Sequence, residues 1–246
     1  MRIEFVGLPG AGKSYLCREL GHLLSNKEGS PMIGDTVSLS ADEQNWFCSQ
    51  ISKLFGASLF AMRHPLAAFR ITQIIRKSGQ KSKRHMVTKS LNLLAELRRI
   101  DSPRNGSISE QGVLQAVWSI ALDARQEVID KLLVAARPWL PTTAISVDVD
   151  SSELIPRLGG RERGRSRFDR LEPADLADAL KRGAVLLEEV LQNWEMIVPN
   201  AQRITIQNPR GAEAADVLSP VIRLVFHDDG ETGRDSCGEN QESSSV

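Results

Sequence analysis

Residues 7 to 14 read Gly-Leu-Pro-Gly-Ala-Gly-Lys-Ser, the spacing G-x-x-x-x-G-K-S. Apolar residues at Ile3, Phe5 and Val6 precede it in a short strand pattern. Leu16, Leu20, Leu23 and Leu24 follow on one face of a helix pattern. A strand, a glycine loop and a helix start, in that order, let several backbone N–H groups converge on one anion, and the helix N-terminus adds partial positive charge. The pattern assigns a phosphate cradle to Gly7, Pro9, Gly10, Ala11, Gly12, Lys13, Ser14 and Tyr15. Lys13 is placed to reach the β- and γ-phosphates of ATP, and the Ser14 hydroxyl to hold Mg²⁺.

The rest of the composition narrows the setting. A chain of 246 residues builds one full core, with or without an insertion. Its formal net charge is zero, which disfavours a large polyanion footprint and makes a nucleic-acid partner unlikely on charge alone. No apolar run approaches a membrane span, and the first strand pattern starts at residue 2, leaving no room for a signal peptide. Cys17, Cys48 and Cys237 are too widely spaced for a metal or disulfide pattern. A cytoplasmic chain without a membrane partner is expected, with Cys17 as a small core residue.

Strand patterns occur at 2–6, 31–37, 106–109, 143–149 and 203–207, separated by helical patterns at 43–62, 65–78, 86–100, 112–136, 173–196 and 212–226. This alternation predicts an α/β chain of the P-loop NTPase type: three α/β/α layers around a roughly five-stranded parallel sheet. Residues 1–227 form the expected domain. Within it, 37–104 reads as a helical insertion on the acceptor side. Residues 228–246 are acidic, lack apolar periodicity and read as a disordered tail. The segment 76–99 is basic, and reads either as a solvated face or as a site for an anionic partner.

Residues 157–170 carry Arg157, Arg161, Arg163, Arg165, Arg167 and Arg170 among three glycines. Phosphoryl transfer spreads negative charge over the moving group, and guanidinium groups stabilise it. A glycine-hinged arginine segment over 157–172 therefore reads as a closing lid, with Arg157, Arg161, Arg163 and Arg167 in catalytic roles. Glu110 follows the third strand at the C-terminal edge of the expected sheet, where open α/β sheets bind ligands. It is the candidate for positioning Mg²⁺ or for taking the acceptor proton, and helix capping is its competing role. Asp35 is the rival base. Gln115, Arg63 and Arg70 are further candidates for the acceptor side, although a cation at a helix C-terminus is the equal alternative for Arg63.

These segments resemble the P-loop nucleoside and nucleotide kinases, and most of all the thymidylate kinase branch. The resemblance rests on the P-loop, on the strand–helix–arginine run ending Phe168-Asp169-Arg170-Leu171-Glu172, and on Ile204-Thr205-Ile206-Gln207-Asn208-Pro209-Arg210 before the last helix. It implies that Asn208, Pro209 and Arg210 pack against adenine, that ATP and Mg²⁺ are used, and that the long helix 112–136 is the candidate surface for a homodimer. One departure stands out. The family places an arginine after the acidic residue of its third strand, and this chain reads Ser109-Glu110-Gln111-Gly112.

An ATP-dependent phosphotransferase acting on a small molecule follows, with a nucleoside or nucleoside monophosphate as acceptor. A non-nucleotide metabolite such as an antibiotic, sugar or lipid precursor is the alternative acceptor, and a nucleic-acid-dependent P-loop enzyme is a further alternative. A GTPase is not expected, since the chain has no Asn-Lys-x-Asp guanine reader and its Asp-x-x-Gly, Asp235-Ser236-Cys237-Gly238, falls in the acidic tail and not after a strand.

Overall fold

A computed structural model of the chain describes residues 1–25, 37–38, 46–80, 82–101, 107–125, 127–159, 168 and 171–227. Five parallel segments form its sheet: β1 (Arg2–Gly7), β2 (Val37–Ser38), β3 (Ser107–Ser109), β4 (Thr143–Asp148) and β5 (Gln202–Gln207), in the order β2-β3-β1-β4-β5. Four of these are strands of three residues or more, and β2 is a two-residue pairing at the edge. The expected strand at 31–37 is met only at Val37, its other residues lying outside the described ones.

β1 and β4 are nearly continuous runs of buried residues, as central parallel strands covered on both faces require. Their register sets Phe5 beside Ile145 and Gly7 beside Val147. β5 alternates less and is largely exposed, as suits an edge.

Helix α1 (Lys13–Ser25) packs with α9 (Ala214–His227) against one face of the sheet. Helices α5 (Val113–Ala121), α6 (Ile129–Ala136) and α8 (Pro173–Ile197) pack together on the other. This is the arrangement that right-handed parallel crossovers dictate. Helices α2 (Trp46–Arg63), α3 (Pro65–Lys77) and α4 (Lys83–Ile100) fill the expected helical stretch between β2 and β3, with α2 lying along α4. Helix α7 (Ser151–Gly159) follows β4.

The single helix expected over 112–136 is two helices. No glycine or proline interrupts the pattern between them, so the break has a tertiary cause. Asp123 pairs with Lys89 of α4 at 2.6 Å, and the Arg125 N–H donates to the Ser78 carbonyl at 2.8 Å. These bonds draw the chain away from the helix axis. The two helices bury Leu114, Val117, Trp118, Leu132 and Leu133 inside the chain. Most of the stripe expected to pair two copies is therefore core, while Val134 stays on the surface.

Trp194 of α8 is among the largest fully buried side chains, and its indole N–H donates to the Pro141 carbonyl at 3.0 Å. Trp194→Ala removes both the packing and the bond. It is expected to lower the unfolding free energy by about 3–5 kcal/mol, read from urea denaturation.

Candidate phosphate-binding site

β1 ends at Gly7, on the C-terminal edge of the sheet and between the ends of β3 and β4. The loop that follows turns through Gly10 and Gly12, whose φ values of +93° and +90° suit glycine alone. A β-carbon at Gly12 would also lie 2.4 Å from the Asn208 amide nitrogen. That amide donates to the Ala11 carbonyl at 2.8 Å, fastening the β5–α9 turn to the loop. The Lys13 ammonium folds back over the loop, donating to the carbonyls of Gly7 and Leu8 at 2.9 and 3.0 Å. It is half-buried. Tyr15 is exposed and Pro9 half-buried.

Ser14 lies in the first turn of α1, and its hydroxyl donates to Glu110 Oε1. Glu110 is buried. A hydroxyl and a carboxylate are hard oxygen donors, the kind Mg²⁺ prefers, and they meet at a helix N-terminus beside the phosphate loop. The donor set therefore fits that ion. Among the described residues no group of three or more His, Cys, Asp or Glu stands together as a metal cluster. Gln115 reaches the same loop from α5, its Oε1 accepting from the Gly7 N–H at 3.2 Å.

Sequence reasoning missed Glu4. Its position in β1 reads as one more strand residue, yet its side chain is only 2 % exposed. The carboxyl accepts the N–H groups of Leu114 and Gln115 at 3.1 and 2.8 Å, at the start of α5. The glycine at 112 has its reason here, because a β-carbon at that position would lie 2.3 Å from Glu4 Oε2. Burial pushes the Glu4 carboxyl up to about 8. The N–H groups of Gln115 and Leu114 pull it down, Glu96 raises it further and Arg99 lowers it. Arg99 of α4 donates to Glu96 and to the Ser109 hydroxyl, beside the Glu110 turn. Cys17 is fully buried in α1, and burial, with Glu110 nearby, pushes its thiol up to about 12, so it serves as an inert core residue.

On the other flank, Arg157 belongs to α7 rather than to a free lid. Its guanidinium donates to Glu153 at 2.6 Å and to the Asn208 carbonyl at 2.9 Å. Glu153 also accepts the Arg210 backbone N–H at 3.1 Å. The proposed adenine turn of Asn208, Pro209 and Arg210 is thus stapled to α7. Asp150 caps that helix through the Ser152 N–H at 2.8 Å, and Asp148 accepts from Gln207 at 2.8 Å. Phe168 is buried and stacks on Trp118, with ring centroids 6.3 Å apart and planes 6° from parallel. Trp118 itself is core, its indole N–H held by the Gly183 carbonyl at 2.8 Å.

Asp35, Arg161, Arg163 and Arg167 lie outside the described residues. Arg63 does not join the site. It pairs with Asp101 at 3.5 Å, beside His64 and Trp139, just before β3 and β4 begin and so at the opposite edge of the sheet. Its placement is that of a helix C-terminal cation. Arg70 is exposed on α3, which packs mainly on α2, α4 and α6. In the basic segment, Lys89 and Arg99 are engaged inside the chain, whereas Arg76, Lys77, Lys83 and Arg84 face solvent.

No family model and no curated protein sequence matches the chain. Solved structures of a deoxyadenosine kinase from M. mycoides do. The form with bound dATP superposes with a TM-score of 0.50 at 14% identity, covering 92% of this chain and 98% of the other. The form with the products dCMP and a flexible dCDP gives 0.45 at 13% identity, covering 93% of this chain and 100% of the other. At this level the likeness is one of fold: a parallel sheet between helices with a P-loop after its first strand, as in that deoxyadenosine kinase. The thymidylate branch expected from the sequence is not the one this likeness supports. Among the described residues no helix is long and apolar enough to cross a membrane.

The raised Glu4 carboxyl has a consequence for stability. Above about pH 4.5 the unfolded chain has lost this proton, while the folded chain keeps it to about pH 8. Raising the pH across that window therefore favours unfolding through this group. Glu4→Gln abolishes the titration, so wild type should lose stability relative to the variant between these pH values. Denaturation midpoints measured across the window check this, and a pH-independent difference would refute it.

Proposed function

We propose that the chain is an ATP-dependent phosphotransferase whose acceptor is a nucleoside. The observation that carries this reading is the loop itself. Lys13 rests on the carbonyls of Gly7 and Leu8, and Ser14 touches Glu110. A triphosphate entering the loop meets backbone N–H groups, a helix N-terminus and one ammonium that exchanges loop carbonyls for phosphate oxygens. The nucleoside acceptor is favoured by the fold likeness to a deoxyadenosine kinase with bound dATP.

In this reading residues 1–227 act as one kinase unit, with 37–104 on the acceptor side and the arginine run that follows Arg157 as the lid. Ser14 and Glu110 would hold Mg²⁺, which neutralises charge on the β- and γ-phosphates when bound. Glu110 takes the proton of the attacking hydroxyl. The γ-phosphoryl leaves the β–γ bridging oxygen for the acceptor oxygen, and ADP departs. Lys13 and the arginines at 161, 163 and 167 stabilise the transferred group. The turn at 208–210 packs the base, and Arg157 holds that turn in place through the Asn208 carbonyl.

A non-nucleotide acceptor is the second reading. It is favoured by Gln111, which stands where the resembling kinases carry an arginine that helps hold the acceptor.

The test is product formation from Mg·ATP with panels of nucleosides, nucleoside monophosphates and hydroxylated metabolites. A phosphorylated nucleoside is expected. A product from the metabolite panel alone selects the second reading, and no transfer to any acceptor refutes both. Lys13→Ala should cut transfer by roughly 100-fold or more while the fold persists by circular dichroism. Glu110→Gln should lose roughly 100-fold and Asp35→Asn little. The reverse pattern would make Asp35 the base.

A further inference from the structure

β3 is three residues long and ends at Ser109, which pairs with Glu4 of β1. Glu110 stands one residue past the ladder. On the far side of its turn, the Glu4 carboxyl accepts the Leu114 and Gln115 N–H groups. On the near side the hold comes from α4. The Arg99 guanidinium donates to the Ser109 hydroxyl at 2.6 Å and forks onto Glu96, with Nε 3.2 and 3.1 Å from the two carboxylate oxygens. The Ser109 hydroxyl in turn donates to Glu96 Oε1 at 3.3 Å. Accepting from one partner and donating to the other leaves that hydroxyl a single orientation. Ser109 and Glu110 are each only 4 % exposed.

We propose that Arg99 is a positioning residue for the Glu110 carboxylate, acting through the Ser109 hydroxyl. The inference rests on the phosphotransferase reading, in which Ser14 and Glu110 hold Mg²⁺. Drawing a guanidinium and a carboxylate half-way into the chain costs desolvation, and a well-packed apolar pair often serves stability equally well. The Arg99–Glu96 pair does what apolar packing cannot: it orients a hydroxyl on the residue next to the candidate metal ligand. Outer hydrogen bonds of this kind fix how a ligand presents its oxygens to a metal. The planar fork matters as well. It spans Glu96 and Ser109 at once, which the point charge of a lysine does less well. The cation also lies within electrostatic reach of the start of α1. After burial, the Cys17 thiol, one turn beyond Ser14, feels Glu110, which raises it, and Arg99, which lowers it. Arg99 therefore ties α4, on the proposed acceptor side, to the place where Ser14 meets Glu110.

The test reads Mg²⁺ binding as well as turnover. ATP is titrated calorimetrically into the full chain, once with Mg²⁺ and once with EDTA. Wild type should bind ATP more tightly with Mg²⁺. In Arg99→Met that gain should shrink roughly tenfold, while the affinity in EDTA, set by the loop, stays within about twofold. In turnover, kcat should fall roughly tenfold and KM for the acceptor should hold. Ser109→Ala should reproduce these losses. The double variant should be no worse than the worse single one, because both remove the same bond. Ser109→Ala carries the test alone should Arg99→Met fold poorly by circular dichroism. A wild-type chain that binds no ATP in either buffer overturns the phosphotransferase reading, and this inference with it. A Mg²⁺ gain absent from wild type, or one that both variants leave intact, overturns the positioning role alone. Equal losses with and without Mg²⁺ would make Arg99 a general support of the loop and also overturn it.

Discussion

The parallel pairing of β1 with β3 on one side and β4 on the other is the constraint from which the site follows. It puts the end of β1 in the middle of the sheet edge, so the glycine loop opens between Glu110 and the β4–β5 turns. The fit is tight: a β-carbon at Gly7 would lie 2.7 Å from the Val147 carbonyl oxygen. The loop is then held from both flanks, by Gln115 on the Gly7 N–H and by Asn208 on the Ala11 carbonyl. On the proposed reading the cradle is organised before any anion arrives, which makes binding and transition-state stabilisation inexpensive in reorganisation.

Glu4 shows how the interior supports that cradle. A carboxyl in the sheet core is costly unless its oxygens find donors, and the two free N–H groups at the start of α5 supply them. The bond fixes where α5 begins, and with it Gln115 and the turn through Glu110. Gly112 is the space this arrangement needs. The unusual Glu-Gln-Gly run is thus explained at its third residue by packing, whatever Gln111 does for an acceptor.

The sheet and the phosphate loop were legible because their signals are local. Short apolar runs mark β1, β4 and β5, and the glycine spacing marks the turn. The break between α5 and α6 was not legible, because its causes, Lys89 and Ser78, sit far away in sequence. Glu4 was hidden for the same reason: a lone acidic residue in a strand pattern gives no sign that a helix start will cover it. Arg63 looked like an acceptor ligand only because sequence cannot say at which end of a sheet a helix terminates. Ser14 meets Glu110, and Asn208 meets the P-loop, because strand order brings their ends to one edge of the sheet.

The stacking of Phe168 on Trp118 fixes one end of the arginine run, and the packing of Leu158 against Gly10 fixes the other beside the phosphate loop. Only eight residues join Gly159 to Phe168. Both attachments are made by buried apolar side chains, so repacking at Trp118 or Leu158 shifts where the chain leaves and rejoins the core beside the phosphate loop.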